Sequence, residues 1–280
     1  MKTKKNILLK VYAALIFIFL YAPIAVLIVF SFNESSSTAQ LSGFSLKWYQ
    51  ELFRDSATLS ALQNTLVLAV LSSLISGVLG TVSAVGIDSM RNKRLRNMTK
   101  SVTNIPLMNP DIVTGISMML LFVFAGRLLG QSGVLGFPTM LIAHITFCLP
   151  YVILSVLPKL RQIDPHLSEA AEDLGCTPLQ AFFKVVLPAI MPGVVTGVMM
   201  AFTLSLDDFV VSYFVSGPAS QTLPIRIFSM TKKRVTPDMY ALSTLLFLAI
   251  LILLILINFA QARGDKKEKK TASKKSSADY

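Results

Sequence analysis

Six apolar stretches, at 11–32, 65–87, 102–125, 134–157, 189–215 and 240–260, constrain this 280-residue chain more than any other feature. Each is long enough to cross a hydrocarbon core of about 30 Å at about 1.5 Å per residue. Inside that core a backbone N–H or C=O finds no water, so each run must close its own hydrogen bonds as a helix. The expected fold is all-α, a polytopic membrane protein with six transmembrane helices. Composition agrees, with 53% hydrophobic residues and a mean hydropathy of +0.64. The first run follows Lys2, Lys4, Lys5 and Lys10 and so imitates a signal peptide. It exceeds the usual signal core of roughly 7–15 residues and further spans follow it, so it reads as a retained first helix.

An even number of spans puts both termini on one side, and charge says which. Nineteen lysines and arginines fall on the side of the termini and of the 91–100 and 159–188 loops, against seven in the other loops. That bias makes the termini cytoplasmic. Arg226, Lys232, Lys233 and Arg234 run against it from the last external loop. The net charge of +11 would suit nucleic acid, but the cations gather at span ends and in a tail instead of along one face, which excludes that partner. Residues 1–10 are expected to form a cytoplasmic segment, 11–262 the transmembrane domain, and 263–280 a disordered basic tail facing anionic lipid. No Gly-x4-Gly-Lys-Ser/Thr loop is present to hold ATP. His144 and Cys148 are four residues apart, but two ligands do not make a zinc site, and no serine stands in a nucleophile setting.

Several spans carry internal detail. Ser72, Ser76, Gly80 and Ala84 in the second, and Gly193, Gly197, Ala201 and Ser205 in the fifth, place a small residue at every fourth position. Such stripes let helix backbones approach closely in lipid. The third span is interrupted at Pro106 and Pro110, and Asn109-Pro110-Asp111 reads as N-cap, first and second residues of a new helix. Broken helices at membrane depth are tolerated against protein or a water-filled path, so 104–111 is a candidate pathway lining. An acid at a helix start also complements the dipole, which suffices to explain Asp111. In the first external loop, Leu46–Phe53 resembles a short interfacial helix anchored by Trp48 and Tyr49. The fifth span contains Asp207 and Asp208, each costing about 2.5–3.5 kcal/mol near the bilayer centre. On a continuous helix Asp208 extends the small-residue face and Asp207 points about 100° away. Either acid reads as a cation-attracting point near an external gate or as a polar clamp between helices.

Residues 165–188 form the one long polar segment between spans that still has ordered character. Glu169, Glu172 and Asp173 occupy the early turns of a short helix whose apolar stripe is Leu167, Ala170, Ala171 and Leu174. Gly175 supplies a stop, and Thr177-Pro178 starts a second helix. The result is a docking elbow.

That segment resembles the EAA loop of ABC importer permeases: Glu169-Ala170-Ala171, three residues, Gly175, nine residues, then Val185-x-Leu187-Pro188, with valine in place of the usual isoleucine. The resemblance extends from Ala22 to about Ala262 and is closest to spermidine/putrescine permeases of the PotC type. It is carried by Lys47-Trp48-Tyr49, Asn109-Pro110-Asp111-Ile112-Val113, His144-Ile145-Thr146-Phe147-Cys148-Leu149-Pro150, Phe202–Asp208, Phe214–Pro218 and Leu223-Pro224. It departs at Asn109, often Ser in that family, and at Lys232, Lys233 and Arg234. Family membership implies a type I, MetI-like permease architecture. It assigns Glu169, Ala170, Ala171, Gly175, Leu187 and Pro188 to ATPase coupling. It also implies a homologous second permease, an ABC ATPase dimer, an external polyamine-binding protein and a polyamine cargo. The chain itself would then be no enzyme and hold no cofactor, ATP and magnesium being bound by the ATPase. Asp207, Asp208 and Asp111 are the candidates for the cargo pathway. The alternatives are the same architecture serving another small solute, or a secondary transporter or channel that needs no ATPase.

Overall fold

The computed structural model describes residues 2–35, 40–164, 166–232 and 238–255. Twelve helices are described: α1 Lys2–Ser31, α2 Lys47–Leu52, α3 Ser56–Asp88, α4 Lys93–Met108, α5 Asp111–Leu128, α6 Phe137–Leu160, α7 Leu167–Asp173, α8 Pro178–Ala181, α9 Leu187–Asp207, α10 Val210–Val215, α11 Leu223–Thr231 and α12 Asp238–Ile255. A π-helical stretch, Phe182–Val186, joins α8 to α9. Among the described residues six helical runs are long and apolar enough to cross a membrane: Leu9–Ser31, Ser56–Asp88, Asp111–Leu128, Phe137–Leu160, Pro178–Asp207 and Asp238–Ile255. The expected tail at 263–280, Pro165, and Lys233 and Arg234 lie outside the described residues.

The chain forms two compact units, one of 1–60 with 226–253 and one of 61–225 with 254–280. In the first, the loop after α1 is ordered by α1's own end. Asn33 is buried and bridges Phe44, its amide nitrogen donates to the Gln40 carbonyl at 2.8 Å, and its side-chain oxygen accepts from the Ser42 amide at 2.9 Å. Trp48 and Tyr49, expected as interfacial anchors, pin this loop. The Trp48 indole N–H donates to the Asn33 carbonyl at 2.7 Å, and the Tyr49 hydroxyl lies 2.8 Å from Ser31 Oγ. In the same unit Asp55 accepts from Arg226 at 3.0 Å and from Thr58 at 2.5 Å.

The second unit is organised by α6 against α9. Val152, Val156, Ile190 and Ala201 are buried at this seam, with Ala84 of α3 in the same cluster. The two small-residue stripes explain the closeness. A Cβ on Gly197 would sit 3.0 Å from Val152 Cα, and one on Gly80 would fall within 2.6 Å of the Val152 side chain. Ser72 and Ser205, at corresponding places on the stripes, hydrogen-bond at 2.9 Å. A second cluster, Leu68, Met140, Ala143, Val211 and Val215, joins α3, α6 and α10, with Met118, Met119 and Phe122 of α5 packed on it.

Two spans depart from expectation. The third crossing is α5 alone, because the chain becomes extended at Asn109 and Pro110, and 102–108 belongs to α4. Asn109 is therefore the C-cap of α4 and not an N-cap. Pro110 precedes α5, Asp111 is its first residue, and no side chain caps it. Proline's missing donor and its hold on the preceding residue's backbone set the break at this place. The fifth run, 189–215, expected to be interrupted, is broken after Asp207 and restarts as α10, so that Asp208 does not continue the face of α9.

Candidate functional site

The elbow assembles from local rules. Glu169 lies in the first turn of α7, where a carboxylate meets the positive end of the helix, and its Oε2 is 2.9 Å from His166 Nδ1. That hydrogen bond holds the exposed imidazole of His166 above its ordinary basicity. Gly175 takes φ +89, and two bonds close the helix behind it, Gly175 N–H to the Glu172 carbonyl at 2.9 Å and Cys176 N–H to the Ala171 carbonyl at 3.1 Å. This is the 5→2 and 6→1 pair of a Schellman ending, which needs the left-handed residue that glycine provides. Thr177 then caps α8 reciprocally with Gln180: Thr177 Oγ1 accepts from the Gln180 amide and Gln180 Oε1 from the Thr177 amide. The chain runs from α8 through the π-helical stretch into α9 without interruption.

The residues expected to couple to an ATPase, Glu169, Ala170, Ala171, Gly175, Leu187 and Pro188, lie along one contiguous stretch of chain, with Ala171 buried and Leu187 packed on the α6–α9 core. The apolar stripe expected on α7 is split. Leu167 turns inward to a groove of about 450 Å³ shared with Asp88, Arg161, Phe182 and Val186. Leu174, as the C-cap, turns out and is 88% exposed. With Leu179 and Phe183 it gives the elbow an exposed apolar surface.

At the far end of α9, roughly 30 Å away at about 1.5 Å per residue over its 21 residues, stand the two acids. They are divided by the helix break. Asp207 is the last residue of α9 and is exposed. Asp208 is extended, its side chain only 10% exposed. Its Oδ1 accepts from the Val211 amide at 3.3 Å, and its Oδ2 from the Ser212 amide and hydroxyl, both at 2.8 Å. The carboxylate therefore satisfies the unpaired donors that open α10. The two acids do point different ways, Asp208 toward the bundle and Asp207 away from it, through the helix break and not through the turn angle of a continuous helix.

A residue that sequence reasoning set aside completes this end. His144 of α6 is fully buried, with Nδ1 2.7 Å from Ser205 Oγ and Nε2 2.9 Å from Ser212 Oγ and 3.4 Å from Asp208 Oδ2. The Ser212 hydroxyl donates to Asp208 and can accept from Nε2, while Ser205, which accepts from Ser72, pairs with Nδ1. Cys148, considered with His144 as a ligand pair, instead donates to the Ala201 carbonyl at 3.4 Å. The signal that would have found His144 is the polar register Ser205, Asp208, Ser212 in an apolar run, which demands a buried partner. Asp111 is exposed at the start of α5, one turn before Gly115, which lies against Val210 and Val211 at the start of α10. The break thus gathers the first turns of α5, the end of α9 and the start of α10.

Comparison with known proteins places the chain in a family. Residues 76–270 match the family described as "Binding-protein-dependent transport system inner membrane component". The chain is 41% identical over 251 residues to the putrescine transport system permease protein PotI of Escherichia coli K12, covering 90% of this chain and 89% of that protein. It is 40% identical over 240 residues to the spermidine/putrescine transport system permease protein PotC of the same strain, covering 86% and 88%. Among solved structures, a bacterial ABC transporter importing the acidic polysaccharide alginate superimposes with a TM-score of 0.71 over 94% of this chain and 97% of that one at 18% identity. The methionine ABC transporter MetNI in an inward-facing form gives 0.53 over 75% and 96% at 20% identity. These structural likenesses show the fold. The chain, a multi-pass membrane protein, belongs to the family of binding-protein-dependent transport system inner membrane components.

Proposed function

We propose that this chain is one permease subunit of an ATP-driven importer of polyamines, spermidine or putrescine, in a bacterial inner membrane with both termini cytoplasmic. The observation that carries the reading is the unbroken run from an exposed apolar elbow, through the π-helical stretch, to α9, which ends on Asp207 with Asp208 in the break that follows. An apolar elbow surface suits burial in the cleft of an ATPase subunit, and the acids suit a cargo carrying two or three positive charges. Attraction between such charges strengthens where water is excluded. The names of the relatives PotI and PotC supply the cargo class.

In this account an ABC ATPase dimer binds ATP and magnesium and closes on α7. The Schellman ending at Gly175 and the Thr177–Gln180 box keep the elbow rigid, so the displacement enters α9 at Leu187 and Pro188. A homologous second permease supplies the other wall of the path, and 104–111 and Asp111 line this one. An external polyamine-binding protein provides the affinity, because a passage must bind weakly enough to release. The lipid bilayer surrounds the remaining apolar faces. The test is uptake by the reconstituted complex with labelled putrescine and spermidine. Saturable, ATP-dependent uptake that each polyamine competes for is expected, and uptake indifferent to both would overturn the cargo assignment.

A further inference from the structure

The Asp208 cap orders α10 but makes no bond to α9; the angle between the two is set by apolar packing of Val211 and Val215 on α3 and α6 and by one polar side chain that reaches both helices, His144. It bonds Ser205, three residues before the cap, and Ser212, four residues after it, from one rigid ring. The ring is buried among α3, α6, α9 and α10, and Ser72 extends the chain of hydrogen bonds to α3. Asp207, which lies between the two anchor points, makes none of these bonds and is exposed.

We propose that His144 is a positioning residue of the transport path: its imidazole splints the α9–α10 break and so fixes where the Asp207 carboxylate stands toward the cargo. Asp208 belongs to the splint and Asp207 is the acid it presents. This assignment of Asp207 rests on the polyamine reading above, whereas the splint itself does not.

Asparagine and glutamine test the geometry, because each reproduces one ring nitrogen and neither spans both anchors. In the assembled complex carrying C176S, with Cys148 buried, D207C is labelled by a hydrophilic methanethiosulfonate reagent. Adding H144N, or S205A where H144N lowers the amount of complex, is expected to change the labelling rate about fivefold or more, the scale of losing one buried hydrogen bond. A change under about twofold, with complex amount intact, overturns the splint. In parallel, D207N, H144N and their combination are compared in putrescine uptake. D207N and H144N should each raise KM, and the double variant should be no worse than the poorer single, because neighbours acting through one group are not additive. Multiplying effects, or H144N lowering kcat with KM unchanged, would overturn His144's action through Asp207. If the parent complex carries no polyamine, the cargo reading fails, and the labelling result alone decides the splint.

Discussion

Asp55 and His166 show how single side chains outside the spans are tuned, in opposite directions. The hydrogen bond from Thr58 leads in holding the Asp55 carboxyl below its ordinary range, helped by the Ala57 amide and by Arg226. A carboxyl with a lowered folded pKa contributes stability that is complete above its unfolded value and is lost as pH falls through the folded one. The difference in thermal midpoint between the parent complex and T58A should therefore be steady near neutrality and shrink below about pH 4. A difference that grows on acidification would contradict it. His166 is raised by Glu169, so the stability their pairing contributes is complete below a free histidine's value, while Glu169 is ionised, and is lost as pH rises through the folded value, which lies above it. The chain has two histidines and His144 is buried, so the exposed imidazole is assignable by NMR. Its titration midpoint should fall on E169Q. Both acids of the fifth span were legible in sequence as anomalies in an apolar run. That they point different ways was legible too; the cause was not, because it depends on Asp208 leaving the helix, and nothing local to Leu206-Asp207-Asp208-Phe209 resembles a stop signal.

Elements were most legible where punctuation is chemical. Gly175 and Thr177-Pro178 set the elbow as read, and Pro110 set the break before α5, one residue from the expected cap. The boundary of the third crossing was misjudged because 102–108 is apolar enough to pass for membrane while belonging to α4, whose start near Lys93 is polar. Two substitutions test the elements. At Gly197, valine must push into Val152 Cα, and overpacking of this kind costs about 1–3 kcal/mol, so G197V should lower the thermal midpoint of the complex. At Gly86 an added Cβ meets nothing within 4 Å, so G86A should be neutral or up to about 1 kcal/mol stabilising by helix propensity. At Gly175 the space is open but φ is +89, so G175V strains the turn alone. Basal ATP hydrolysis should then persist while uptake falls about a hundredfold, the loss expected when an about 1 Å misplacement disturbs a positioned site.

On the scale of the molecule, six apolar runs already fixed an all-helical membrane protein, and the stripes at Ser72–Ala84 and Gly193–Ser205 marked the seam where α3 and α9 meet α6. What sequence could not supply was that both stripes meet α6, since nothing in the spacing of Val152 and His144 along that span marks them as the residues the stripes pack against. The central claim is that this subunit moves cargo only when a separate motor pulls its elbow. The most direct measurement is putrescine uptake into proteoliposomes containing the two permeases, with and without the ATPase and ATP. Uptake confined to the complete, ATP-supplied assembly and abolished by G175V is predicted, whereas concentration-driven uptake by the permeases alone, at a comparable rate, would contradict the account.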